Sequence, residues 1–139
     1  MKKLSFSLFL LLVMCSCNSS DKKIVQKSNP VNQDFSEGKA IYKDFCMQCH
    51  MVNGEGVPKA FPPLAKSDYL KNNRLKSIKG IKYGMSGEIT VNGVKYNSVM
   101  AAQGLSNKEI ANVMNYITNS WGNENTQLIT EEEVSKVER

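Results

Sequence analysis

The feature that most constrains this chain is the stretch "FCMQCHMVNGEG", from Phe45 to Gly56. It places Cys46 and Cys49 three positions apart and follows them at once with His50, the only histidine in 139 residues. Four chemistries use such a cluster. A closed structural zinc site needs four N or S ligands, whereas Cys46, Cys49 and His50 supply three. The two other cysteines, Cys15 and Cys17, fall in an N-terminal segment of a different kind. A thioredoxin-like dithiol belongs in a βαβ setting and has no use for an adjacent imidazole. A disulfide across so short a loop gains little closure entropy. The fourth chemistry is covalent attachment of a c-type haem, in which two thiols add across vinyl groups and the next imidazole reaches the iron. On one helical turn both sulfurs point the same way and the following residue projects towards the ring centre. The motif therefore implies one haem c with its iron, bound through Cys46 and Cys49, with His50 as proximal ligand.

The N-terminal segment "MKKLSFSLFLLLVMCSC" opens with Lys2 and Lys3 and continues as an apolar run from Leu4 to Met14. Spanning a bilayer takes roughly 20 apolar residues, so the run is too short, and it has no polar face for a buried helix. It has the charged start and short apolar stretch of an export signal. The segment resembles a bacterial lipoprotein signal, with the small residue Ser16 before Cys17 and Leu12 and Val13 just upstream. That resemblance implies removal of residues 1–16, acylation of Cys17, and an exported, periplasmic protein anchored to a bacterial membrane. The polar, aperiodic residues 17–33 then read as a flexible tether. Loss of Lys2 and Lys3 leaves sixteen of the 18 basic residues against 13 acidic ones. That balance is no nucleic-acid footprint, and no aromatic-interleaved basic stripe suggests one.

A lone histidine leaves no second imidazole for the distal side of the iron. Of the seven methionines, Met1 and Met14 lie in the signal, Met47 is inside the motif, Met51 follows the proximal ligand, and Met114 sits in an apolar stripe that reads as core. Met85, in "YGMSGE", and Met100 remain. Around them the pattern predicts helices. Ser36 is placed to cap a first helix with Ile41, Tyr42 and Phe45 on its apolar side. A Lys-rich helix runs over 73–83 with Leu75, Ile78 and Ile81 inside. "EITVNGVKY" is an alternating pair of strands around Asn92-Gly93, a hairpin signal. Ser106 and Glu109 form a capping box for a last long helix, whose face is Ile110, Val113, Met114, Ile117 and Trp121. Residues 122–139 read as a polar tail, with a second box at Thr130–Glu133 that allows a short helix over 131–138.

From Phe35 to Trp121 the chain resembles class I cytochromes c. "EGKAIYKDFCMQCH" looks like the family's first helix running into the haem motif, "PPLAKSD" like its proximal loop, and "YNSVMAAQGLSNKEIANVMNYITNSWGN" like its distal methionine loop and C-terminal helix. The resemblance implies an all-α small cytochrome c fold over 34–121, wrapped around one haem, with a short β-hairpin before the distal loop. It implies Met100 as distal ligand, although Ala101 stands where the family often has proline. It also implies the Pro62 carbonyl as acceptor for the His50 ring N–H, Leu64 against the haem face, and a close crossing of first and last helices at Gly38, Tyr42, Val113 and Tyr116. Met85 is expected to turn away into the hairpin.

With both axial positions filled, no coordination site is open for substrate. The expectation is a monomeric electron carrier, not an enzyme, passing single electrons between redox partners such as a dehydrogenase, a reductase or a terminal oxidase. Lys59, Lys66, Lys71, Arg74, Lys76, Lys79, Lys82 and Lys95 suggest a docking face for an acidic partner, the plainer reading being a solvated helix face. If Met100 does not bind, a five-coordinate haem sensor or peroxidase-like protein is the alternative, and a dedicated cytochrome subunit of an oxidoreductase complex is another.

Overall fold

The computed structural model describes residues 34–139. The expected export signal, Cys17 and the tether lie outside the described residues. Helix α1 spans Ser36–Phe45, and α2 is the single turn Met47–His50. Two helices follow, α3 (Asp68–Asn72) and α4 (Arg74–Tyr83). A hairpin of β1 (Ile89–Val91) and β2 (Val94–Tyr96) precedes α5 (Asn107–Ile117) and α6 (Glu131–Ser135). The fold is thus helical with one two-stranded antiparallel hairpin, as the resemblance implies.

Local chemistry accounts for most of these boundaries. The Ser106 hydroxyl accepts from the Glu109 N–H at 3.3 Å, and the Glu109 carboxylate accepts from the Ser106 N–H at 2.8 Å, so the expected capping box forms. Asn92 and Gly93 take φ of 50° and 77°, the left-handed pair that a type I′ hairpin turn needs, and the turn pairs Ile89 with Tyr96 and Val91 with Val94. Helix α1 starts differently from expectation. Ser36 is its first helical residue, not its cap. The Asp34 carboxylate accepts from the Ser36 N–H at 2.8 Å and from its hydroxyl at 3.0 Å, and a charged acceptor also suits the positive end of the helix dipole.

The core is built where α1 crosses α5. A Cβ at Gly38 would lie 2.2 Å from the Asn112 carbonyl oxygen, so only glycine permits this approach. Tyr42, Ile110, Val113, Met114 and Ile117 are buried there. The Tyr42 ring lies 4.9 Å from that of Trp121 and 5.6 Å from that of Tyr116. In α4, Ile78 and Ile81 are buried as expected, but Leu75 is 61% exposed. In that first turn it is Arg74 that meets the C-terminal segment.

That segment is not a tail outside the domain. Helix α6 is shorter than the predicted 131–138, yet Ile129, Val134 and Val137 join the core. Asn115 bonds both backbone groups of Ile129 at 2.8 Å, imitating a strand partner. Arg74 grips Glu133 through Nε and Nη2, each at 2.6 Å, and donates to the Gln127 carbonyl at 2.7 Å and the Leu128 carbonyl at 3.0 Å. Lys82 donates to the carbonyls of Val134 at 2.8 Å, in the last turn of α6, and of Val137 at 3.1 Å, just beyond it. The expected basic face shrinks accordingly. Arg74 and Lys82 serve the fold, and Lys95 pairs with Glu88 at 2.8 Å.

Candidate functional site

The Cys46–His50 turn is a kinked continuation of α1. The His50 N–H donates to the Cys46 carbonyl at 2.9 Å, and Met51 then takes φ 65°, which ends the turn. The Tyr42 hydroxyl ties the far side of this reversal to the core, donating to the Met51 carbonyl at 2.5 Å. Both thiols are free, Cys46 half-buried and Cys49 exposed. Burial, and then the neighbouring Cys49, push the Cys46 thiol up to about 11, so it stays protonated at neutral pH.

The proximal loop is shaped by two glycines. Gly54 accepts from the N–H groups of Leu64 and Ala65 at 2.7 and 2.9 Å. Gly56, at φ +65°, leaves no room for a Cβ, which would stand 2.4 Å from the Phe61 carbonyl oxygen. Val57 and Phe61 pair across the resulting turn, and the chain emerges at Pro62. The Pro62 carbonyl lies 2.9 Å from Nδ1 of His50. A carbonyl only accepts, so Nδ1 carries the proton and Nε2 keeps its lone pair. Burial lowers the His50 pKa from its ordinary value, and the Pro62 hydrogen bond opposes this. The ring is therefore a neutral, oriented base.

Cys46, Cys49, His50, Pro62, Leu64 and Met100 all line one cavity of about 420 Å³, within the usual range of ligand pockets. Ile81, Ile89, Val91, Tyr96, Val113 and Ile117 supply much of its remaining wall. Met85, expected to turn away, lines it too. Its N–H donates to the Met100 carbonyl at 2.8 Å, and the Met100 N–H returns the bond at 2.9 Å. Opposed residues of such a pair share a face, so Met85 and Met100 are neighbours. Gly84, at φ 79° and ψ 170°, allows the close approach, and nothing local in the sequence marks it.

The donor set fits a haem. Among the described residues no three His, Cys, Asp or Glu side chains converge on a point that would hold a bare metal ion, which removes the zinc reading. Among the same described residues no buried polar side-chain atom is left without a partner. What the cavity offers is apolar wall, two thiols, one imidazole nitrogen and two thioethers. These are the walls of a covalent haem pocket, and such a pocket in a small helical fold defines an electron-transfer haem protein.

The sequence model of the family described as Cytochrome c matches residues 35–121. The chain belongs to the cytochrome c family and binds haem c covalently. It is 40% identical over 111 residues to a protein named cytochrome c-552 from Thermus thermophilus, covering 73% of this chain and 84% of that one. It is 31% identical over 104 residues to the cytochrome c subunit of a quinone alcohol dehydrogenase from Gluconacetobacter polyoxogenes, covering 72% of this chain but only 22% of that subunit.

Proposed function

We propose that the iron is held between His50 and Met100 and that the protein carries single electrons between periplasmic or membrane-bound redox proteins, anchored to a bacterial membrane through Cys17. The observation that carries this reading is the convergence of Cys46, Cys49, His50 and Met100 on one cavity, with His50 Nδ1 committed to the Pro62 carbonyl. When bound, the haem supplies an iron that alternates between Fe(III) and Fe(II).

The residues around it have separable tasks. The cysteines hold the group in place. The Pro62 carbonyl orients His50 and raises its basicity towards the iron. Leu64, on the cavity wall, would pack against the macrocycle, and the neutral thioether of Met100 would favour the reduced state. With His50 and Met100 both committed to it, a bound haem would offer a substrate no open position, which supports a carrier and not an enzyme. Peroxidase-like chemistry asks for a distal histidine or arginine. His50 is the only histidine, Arg74 is spent on Glu133, and Arg139 lies over the Tyr83 ring, 5.5 Å from its centre. Kinship with a quinone alcohol dehydrogenase subunit supports a dehydrogenase as one partner of this monomer. Phe45 and Val99, 47% and 76% exposed on the cavity rim, suit a docking surface with an apolar centre.

The test is spectroscopic. Oxidised protein is expected to show the weak far-red charge-transfer band of a thioether-bound iron. Met100→Ala removes that band and lowers the reduction potential, while Met85→Ala leaves both. The opposite pattern overturns the ligand assignment. Haem released from the denatured chain by acidified organic solvent overturns covalent attachment.

A further inference from the structure

The segment bearing Met100 is held from two sides. On one side it pairs with Met85, just past the end of α4. On the other, among the described residues, one hydrogen bond joins it to the proximal loop, from the Ser98 hydroxyl to the Ala60 carbonyl. Ala60 sits inside the turn closed by Val57 and Phe61, two positions before the Pro62 carbonyl that meets His50. Ser98 sits two positions before Met100, and Ser98, Phe61 and Met100 all border the cavity. Residues 97–99 make no other described hydrogen bond, and Val99 is 76% exposed, so packing there does not hold the segment.

We infer that Ser98 is a positioning residue, a latch that joins the lip carrying Met100 to the lip carrying Pro62 and thereby sets how readily a small external ligand reaches the distal side of the iron. The inference rests on the reading of Met100 as ligand. Ser98 is not itself a ligand in that reading. Its hydroxyl limits the excursions of the distal segment, a task that proline after the methionine performs by stiffening and that Ala101 cannot. The bond is half-buried, so water competes for it only in part.

The experiment uses the haem-loaded protein, its Ser98→Ala and Ser98→Thr variants, and imidazole as probe. A net hydrogen bond worth ~1 kcal/mol corresponds to roughly a fivefold change in an equilibrium. Ser98→Ala is therefore expected to bind imidazole about fivefold more readily and to lose the far-red band at correspondingly lower imidazole. Ser98→Thr, which keeps the hydroxyl, is expected to stay within about twofold of the parent. Ser98→Ala indistinguishable from the parent, or Ser98→Thr as permissive as Ser98→Ala, overturns the latch. A parent protein without the far-red band overturns the Met100 reading and the latch with it. A parent with the band and an unresponsive Ser98→Ala overturns the latch alone.

Discussion

Gly84→Ala is expected to unseat Met100 before it unfolds the protein. Gly84 follows α4 at φ 79° and ψ 170°, a region open almost only to glycine. Forcing alanine there costs of order 1–3 kcal/mol in backbone strain. The new Cβ would also stand 2.8 Å from the Met100 carbonyl oxygen and 3.0 Å from the Ala102 nitrogen. Overpacking of this kind adds typically 1–3 kcal/mol, so the total demand is about 2–6 kcal/mol against a whole-domain stability of about 5–15 kcal/mol. The contacted atoms belong to the segment carrying Met100, and, on the proposal that Met100 is the distal ligand, a thioether–iron bond would be a weak link in holding it. Relaxation by displacing 100–102 is therefore expected to win over global unfolding. Gly87→Ala is the control, because Gly87 has φ +92° but nothing within 4 Å of a built Cβ. It carries the strain without the contact. Chemical denaturation and the far-red band are read in parallel on both variants. Gly84→Ala is expected to lose most of the band, with a fall in unfolding free energy no more than about 1–2 kcal/mol beyond that of Gly87→Ala. A Gly84→Ala protein that keeps the band and loses the full sum in stability refutes the reasoning.

Other expectations follow from the same geometry. Gly38→Ala puts a Cβ 2.2 Å from the Asn112 carbonyl and is expected to lower stability by about 3 kcal/mol or more, read as the thermal midpoint of the haem-loaded protein. Arg74 holds the Glu133 carboxyl below its ordinary value of 4.5. A depressed folded pKa means stability that is full above the unfolded value and lost as pH falls through the folded one. Hydrogen exchange over 127–137 is therefore expected to quicken on acidification below about pH 4.5, and to lose that acid limb in Glu133→Gln. Mass spectrometry of the exported protein is expected to begin at an acylated Cys17. An unmodified N-terminus elsewhere removes the lipid anchor from the proposal.

What the sequence disclosed was what lies close along the chain. Cys46, Cys49 and His50 form one turn, Ser106 and Glu109 cap within three residues, and Asn92-Gly93 carries its own turn geometry. Each is specified by neighbours, so a reader of the sequence meets cause and effect together. The first helix cap escaped because both Asp34 and Ser36 are plausible acceptors and only the backbone path selects the carboxylate. Other features depended on partners far away. Arg74 and Lys82 read as free cations because a charge shows in the sequence while its partner, 52–59 residues on, does not. Met85 read as diverging because the pairing with Met100 rests on the backbone at Gly84 and not on any side-chain pattern. Ser98 and Ala60 are 38 residues apart and chemically unremarked.

The Gly38–Asn112 crossing also ties the thiol-bearing turn to a contact far along the chain. The helix that leads into both thiols packs on α5, so the two elements meet across more than half of the described chain. Closing a loop of about seventy residues costs on the order of 4 kcal/mol in chain entropy. Because Val113, Met114 and Ile117 of α5 also line the cavity, the haem pocket is complete only where this long-range contact is made.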